Sequence, residues 1–128
     1  MTFTLAQRNI LHTAFCNGLS YFEGYGLDVR WDVDAYNRTK ARLQASATEY
    51  VTSEDVLIAM IHNRDILYVH DIEDDDEEIV GKFSEDSILN NWDKIPLHNI
   101  SNIVNEDDDV NDADIILQIV AFGDIVYG

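Results

Sequence analysis

Carboxylates are the residues of this chain whose number and spacing invite chemistry. The stretch "HDIEDDDEEIVG" at 70–81 places seven acids in the eight positions from Asp71 to Glu78, broken only by Ile72. A second run, "EDDD", covers Glu106, Asp107, Asp108 and Asp109. Acid clusters first raise the question of metal. Asp107, Asp109 and Asn111 fill the first, third and fifth positions of a calcium loop, which also wants glycine at its sixth position and a bidentate glutamate at its twelfth. Asp112 and Gln118 stand there instead. The Asp71–Glu78 run lacks the glycine too. Neither run has the signature of a metal loop, and weak, unselective attraction of divalent cations is all that either offers.

Other chemistries find less support. The histidines at 12, 62, 70 and 98 form no HExxH, and Cys16 is the only cysteine, so no CxxC pair exists for zinc. His12 and His62 fall on expected helices and read as half-buried structural residues. His70 simply adjoins Asp71. Cys16, beside Phe15 on an apolar helix, reads as a core residue rather than a reactive thiol. There is no GxSxG, no glycine-rich phosphate loop and no P-loop lysine. Carboxylates working as an acid–base pair need a cleft that drives their two pKa values apart, whereas adjacent acids mark a solvated surface. The sequence therefore points away from an enzyme and implies no cofactor.

What remains is the field. Net charge is −17. Residues 1–42 hold five basic residues against four acids, +1, and residues 43–128 hold three against 21, −18. The first part reads as a charge-balanced scaffold and the rest as a polyanion. Such a surface disfavours direct binding to nucleic acid or to an anionic membrane, both of which need cationic partners. Salt adaptation would spread acids along the whole chain. A solvated hairpin tip would account for the Asp71–Glu78 run without any function. Against that stands the cost of crowding: neighbouring carboxylates at phosphate-like spacing repel by about half a kcal/mol per pair in water.

The elements that must position these acids can be read from the pattern. Thr4 caps a helix over residues 5–18, with Gly18 as its stop. "LSYFEGYGLDVRW" reads as an aromatic, packed loop with a short extended piece at 27–31. A second helix is expected from Val33 or Asp34 to Ala47, and a third over "EDVLIAMIHN" behind a Thr52 or Ser53 cap. "DILYVHDI" reads as a strand and "EEIVGKF" as its return. "SEDSILNNWDKI" is a capped helix ending before Pro96, and "HNISNIV" is ambiguous. Asp112 is the expected cap of a final segment, "ADIILQIVAFGDIVY", which suits helix or strand and serves as core or as a homodimer interface. The sum is a single α+β domain over 1–128, mostly helical with a small antiparallel β element. With 46% apolar residues it has material for a core. No signal peptide is legible in "MTFTLAQRNILHTAF", and the apolar C-terminal stretch is interrupted by Gln118 and Asp124. A cytoplasmic setting is expected, that of the host cell if a phage encodes the chain.

A small, acidic, single domain without catalytic signatures resembles the DNA-mimic inhibitors of phages and mobile elements, the anti-restriction, anti-CRISPR and glycosylase-inhibitor proteins. The opening "MTFTLAQR" is similar to the start of a phage inhibitor of the type II CRISPR nuclease. The resemblance implies a competitive mechanism. Asp71, Glu73, Asp74, Asp75, Asp76, Glu77, Glu78 and Glu106 to Asp109 would occupy lysines and arginines that a basic nucleic-acid-binding partner reserves for phosphates. Two other readings fit the same features: an immunity protein covering a cationic nuclease toxin, and an assembly subunit using the apolar C-terminal segment.

Overall fold

Thr4 does start the first helix. Its hydroxyl accepts from the Gln7 amide at 3.1 Å while the Gln7 side chain accepts from the Thr4 amide at 2.8 Å, a reciprocal cap. The computed structural model describes residues 3–128; Met1 and Thr2, which begin the octapeptide quoted above, lie outside the described residues. Among these are helix α1 (Leu5–Gly24), strand β1 (Leu27–Arg30), helices α2 (Val33–Ser46) and α3 (Ser53–His62), strands β2 (Leu67–Asp71) and β3 (Ile79–Phe83), helix α4 (Glu85–Asn91), a 3-10 turn (Trp92–Lys94), and helices α5 (Leu97–Val104) and α6 (Val110–Phe122). The chain is a mostly helical α+β domain with a three-stranded antiparallel sheet in the order β1-β2-β3.

The α1 helix runs through the expected stop. Gly18 is buried inside it and faces α6, where a Cβ would stand 3.0 Å from both Ala113 Cβ and Leu117 Cδ1. This glycine ends nothing; it lets two helices approach. The aromatic segment expected as loop is therefore the last turns of α1, with Phe22 buried and only Leu27–Arg30 extended. Cys16 corrects the core reading, because it lies on the solvent side of α1. His62 is likewise exposed, edge-on to Phe3.

The ambiguous segments both resolve as helices. In α6 every residue from Asp112 to Ala121 except Ile115 is buried, which explains an apolar pattern running all the way round. It is the central helix, packed on α1, α5 and the sheet. Its cap is Asp109, not Asp112: Asp109 Oδ1 accepts from the amides of Asn111 and Asp112 at 2.9 and 3.1 Å, and Asp112 Oδ2 accepts in return from the Asp109 amide at 3.0 Å. Because α6 is spent in the core, Ile125 and Val126 are the large aliphatic residues that the C-terminal segment leaves exposed.

The sheet lays one face on this helical core. Leu27, Leu67, Val69 and Phe83 point inward, and Tyr68 and Lys82 point outward, the period-two alternation of a half-buried sheet. Phe83 meets Phe15 and Phe22 with ring centroids 5.1 and 5.8 Å apart. One apolar cluster runs from Phe3 to Ala121.

Candidate interaction surface

The β2–β3 hairpin carries the first acid run at its tip, Ile72 to Glu78, all exposed. The loop is tied by its own carboxylates. Asp71 Oδ1 accepts from the Glu73 amide at 3.0 Å, and Asp74 Oδ1 accepts from the Asp76 amide at 3.4 Å. The Asp71 amide donates to the Glu78 carbonyl at 2.8 Å and the Glu77 amide to the Asp74 carbonyl at 3.0 Å. His70 Nδ1 donates to the Glu77 carbonyl at 2.8 Å, and Glu77 itself adopts the left-handed conformation (φ 48°). Asp75 stands in the middle of the turn. The run is a compact turn at the hairpin tip, because short acidic side chains bond to nearby amides and compete with strand pairing.

The hairpin is also seated on the body of the protein. The Ile72 amide donates to the Gly26 carbonyl at 2.9 Å. Gly26 has φ +78°, and a Cβ there would sit 2.5 Å from Glu73 Cγ and Cδ. Only glycine allows this turn with Glu73 lying over it.

The second run links α5 to α6. Glu106 has φ 59°, and the Asp107 amide donates to the Asn102 carbonyl at 2.8 Å. Asp108 is half-buried and accepts from Asn17 Nδ2 on α1 at 3.1 Å, while Asp109 caps α6. Both loops are thus tethered to the C-terminal half of α1 and beyond. Asn17 and Gly24 are about 10 Å apart along its axis at 1.5 Å per residue.

Few cations answer this charge. Among the described residues, ion pairs within 4 Å join His12 to Asp55 and Arg30 to both Asp28 and Glu77. Of the eleven carboxylates in the two runs, only Glu77 meets a lysine or arginine. No protein-family model matches the chain, and no curated protein or solved structure is significantly similar to it.

Metal chemistry finds no geometry here. Among the described residues, no group of three or more His, Cys, Asp or Glu side chains converges as a metal site requires. The calcium-loop spacing is spent on structure: Asp109 caps, Asp112 accepts from Asn99 and Asn102 at 2.8 and 3.1 Å, and Gln118 clasps the C-terminal tail through the Val126 and Tyr127 amides, each at 2.8 Å. Burial works to raise the Asp112 carboxyl, but the Asp109 amide, the two asparagines and His98 outweigh it and hold it below the usual range. Tyr25, whose hydroxyl donates to Asp114 at 2.7 Å, is pushed up to about 12 by burial and by that bond.

One further cluster lies outside the acid runs. His12 Nε2 donates to Asp55 Oδ1 at 2.8 Å, and His12 Nδ1 lies 3.9 Å from Cys16 Sγ. Thiol, imidazole and carboxylate stand in the order of nucleophile, base and orienter. Partial burial and the charges of Glu54 and Asp55 nevertheless raise the Cys16 thiol, the opposite of activation. Sequence reading missed the His12–Asp55 and Arg30–Glu77 pairs because their partners lie 43 and 47 residues apart. The reciprocal cap at 109–112 was placed three residues late, because each acid of the run offers a capping side chain.

Proposed function

We propose that this protein is a non-enzymatic inhibitor that presents an anionic, nucleic-acid-like surface to the basic groove of a target such as a CRISPR or restriction nuclease. One observation carries the reading. Exposed carboxylates of the hairpin tip are held in a hydrogen-bonded turn, and only Glu77 is answered by a cation. A disordered acid tail would lose its freedom on binding and weaken the complex accordingly. A tied loop has already lost much of that freedom, so steering and counterion release from the target's lysines and arginines act with less opposition.

The mechanism is competition. Carboxylates of 71–78 and 106–109 occupy cations that otherwise hold phosphates, and binding weakens as salt rises. The test is affinity capture from host lysate with a salt-gradient elution, using wild type beside a variant carrying Asn at Asp74, Asp75, Asp76, Asp107 and Asp108. Asparagine keeps each acceptor oxygen in place, so the turns stay closed while five charges vanish. A nucleic-acid-handling protein that is retained by wild type, lost with the variant and displaced by duplex DNA supports the reading. Equal retention by both baits overturns it.

A further inference from the structure

The second acid run borders something the first does not. Between α1 and α5 lies an open groove of about 480 Å³, lined by Ala6, Asn9, Ile10, Thr13, Ile103 and Val104, with Glu106 and Asp108 at its rim. Its α1 wall is one helical face. Positions 6, 9, 10 and 13 follow the i, i+3, i+4, i+7 rule and extend about 10 Å, two turns. Its floor is apolar: Ile10 and Ile103 are almost wholly buried there. On the α5 side Val104 is 63% exposed, and Leu97, seven residues earlier on the same helical face, is 77% exposed. A helix that buries Asn99 and Ile103 inward while offering Leu97 and Val104 outward has an unpartnered apolar side.

Charge selects what can cover it. Neither Glu106 nor Asp108 has a lysine or arginine within 4 Å among the described residues, and Asp107 and Asp109 beside them have none either. An anionic or purely apolar occupant would leave these carboxylates unpaired or partly desolvated, which is costly. A segment with an apolar stripe flanked by lysine or arginine satisfies floor and rim together. The two-turn length and the spacing of the wall match the helix-in-groove mode, in which anchors at i, i+3 or i+4 and i+7 enter an apolar cleft.

We infer that the α1–α5 groove receives an amphipathic, basic helix of the target protein. This deepens the functional reading above and rests on it in one respect, the cationic character of the target. It divides the work of the two runs. The hairpin tip supplies charge alone, and the 106–109 loop charges the rim of an apolar seat. Apolar burial at the seat is insensitive to screening, so part of the affinity survives at high salt.

The experiment uses the full chain and a synthetic helical peptide of about 14 residues, with leucines on one face at helical spacing and lysines flanking them. Its control is an isomer of the same composition with the leucines scattered around the helix. Binding is measured at about 0.15 M and about 0.5 M salt, and amide shifts map the site. The expected result is about tenfold preference for the amphipathic peptide, with shifts at 6–13 and 103–108. Val104→Glu and Ala6→Glu decide the matter by sign, since each adds a negative charge and removes apolar lining. The groove requires both to weaken the amphipathic peptide; a surface acting by charge alone requires both to strengthen it, and that result overturns the inference. Equal affinity for the two isomers, or shifts confined to 71–78, also overturns it. The two readings fail separately. Capture lost by neutralising the acids, with isomers bound alike, sinks the groove and keeps the mimic. Groove binding by the peptide, with capture unchanged by Asn at Asp74, Asp75 and Asp76 alone, keeps the groove and sinks the hairpin's part of the mimic.

Discussion

Arg30 reaches from β1 to Glu77 at the hairpin tip, its Nη1 donating to Oε2 at 3.1 Å while its Nε holds Asp28 at 2.8 Å. It is the one lysine or arginine within 4 Å of the first acid run among the described residues. The carboxylates it contacts hold its guanidinium in the charged form, and all three side chains are substantially exposed. Exposed pairs of this kind add little to stability. Arg30→Gln is therefore expected to leave the urea midpoint nearly unchanged. It also uncovers Glu77, so association with a cationic partner should quicken by about twofold at low salt and lose that advantage at high salt. Stopped-flow binding to the captured target, or to a lysine-rich peptide, reads both effects. Slower association would mean that Arg30 positions the hairpin more than it masks it.

Salt should move stability and binding in opposite directions. Seven acids packed into eight positions repel one another in the folded chain, and a single cation offsets them. Screening relieves that repulsion, so the melting temperature is expected to rise between about 0.02 M and about 0.5 M sodium chloride. Asn at Asp74, Asp75 and Asp76 should raise it at low salt and make no difference at high salt. Binding to a basic target weakens over the same range. A melting temperature that falls with salt would place the dominant electrostatics in attractive pairs, which the two cation-bridged contacts of Arg30 are too few to supply.

Local signals were legible in the sequence, and distant pairings were not. Thr4, Thr52 and Ser84 announce their helices because a cap is settled within three residues. The strand–return pattern around 65–83 was equally plain, since alternation is local. Gly18 was misread because the same residue that ends a helix also permits close helix packing, and the partner, Ala113, is 95 positions away. The Asp109 cap lay hidden in an acid run where every position offers a capping side chain; which one caps depends on Asn99 and Asn102 already holding Asp112. The acid runs themselves were found by composition, but the apolar groove beside the second one depends on how α1 meets α5.

Gly18 gives a direct check on the packing that seats the second run. A Cβ there would stand 3.0 Å from two side-chain carbons of α6 and 3.1 Å from the Ala113 backbone. Helix propensity alone would favour alanine by about 1 kcal/mol, yet the backbone contact cannot swing aside. Gly18→Val adds two further carbons and is expected to cost about 2–3 kcal/mol in urea unfolding. Amide shifts should spread to Asn17, Asp108 and the 106–109 loop. A variant as stable as wild type would mean that α1 and α6 are farther apart than these distances allow.

Asp112 sets the acid limit of the fold. Its carboxyl is held low in the folded chain by the Asp109 amide, Asn99 and Asn102, which together outweigh the upward push of burial. A depressed folded pKa contributes stability above the unfolded value, 3.8, and loses it as pH falls toward the folded one. Asp55 has the same sign: burial pushes it up, and Thr52 with His12 brings it below its ordinary value. Wild-type stability should therefore drop as pH falls below about 4. Asp112→Asn keeps the shape but removes the charge that the cap and asparagines favour, at an expected cost of about 1–2 kcal/mol near pH 7. The decisive measurement is the difference between wild type and Asp112→Asn across pH 7 to pH 3. It must shrink as wild-type Asp112 takes up its proton. A difference that stays constant would assign the loss to misplaced amide hydrogens on the new asparagine rather than to the missing charge.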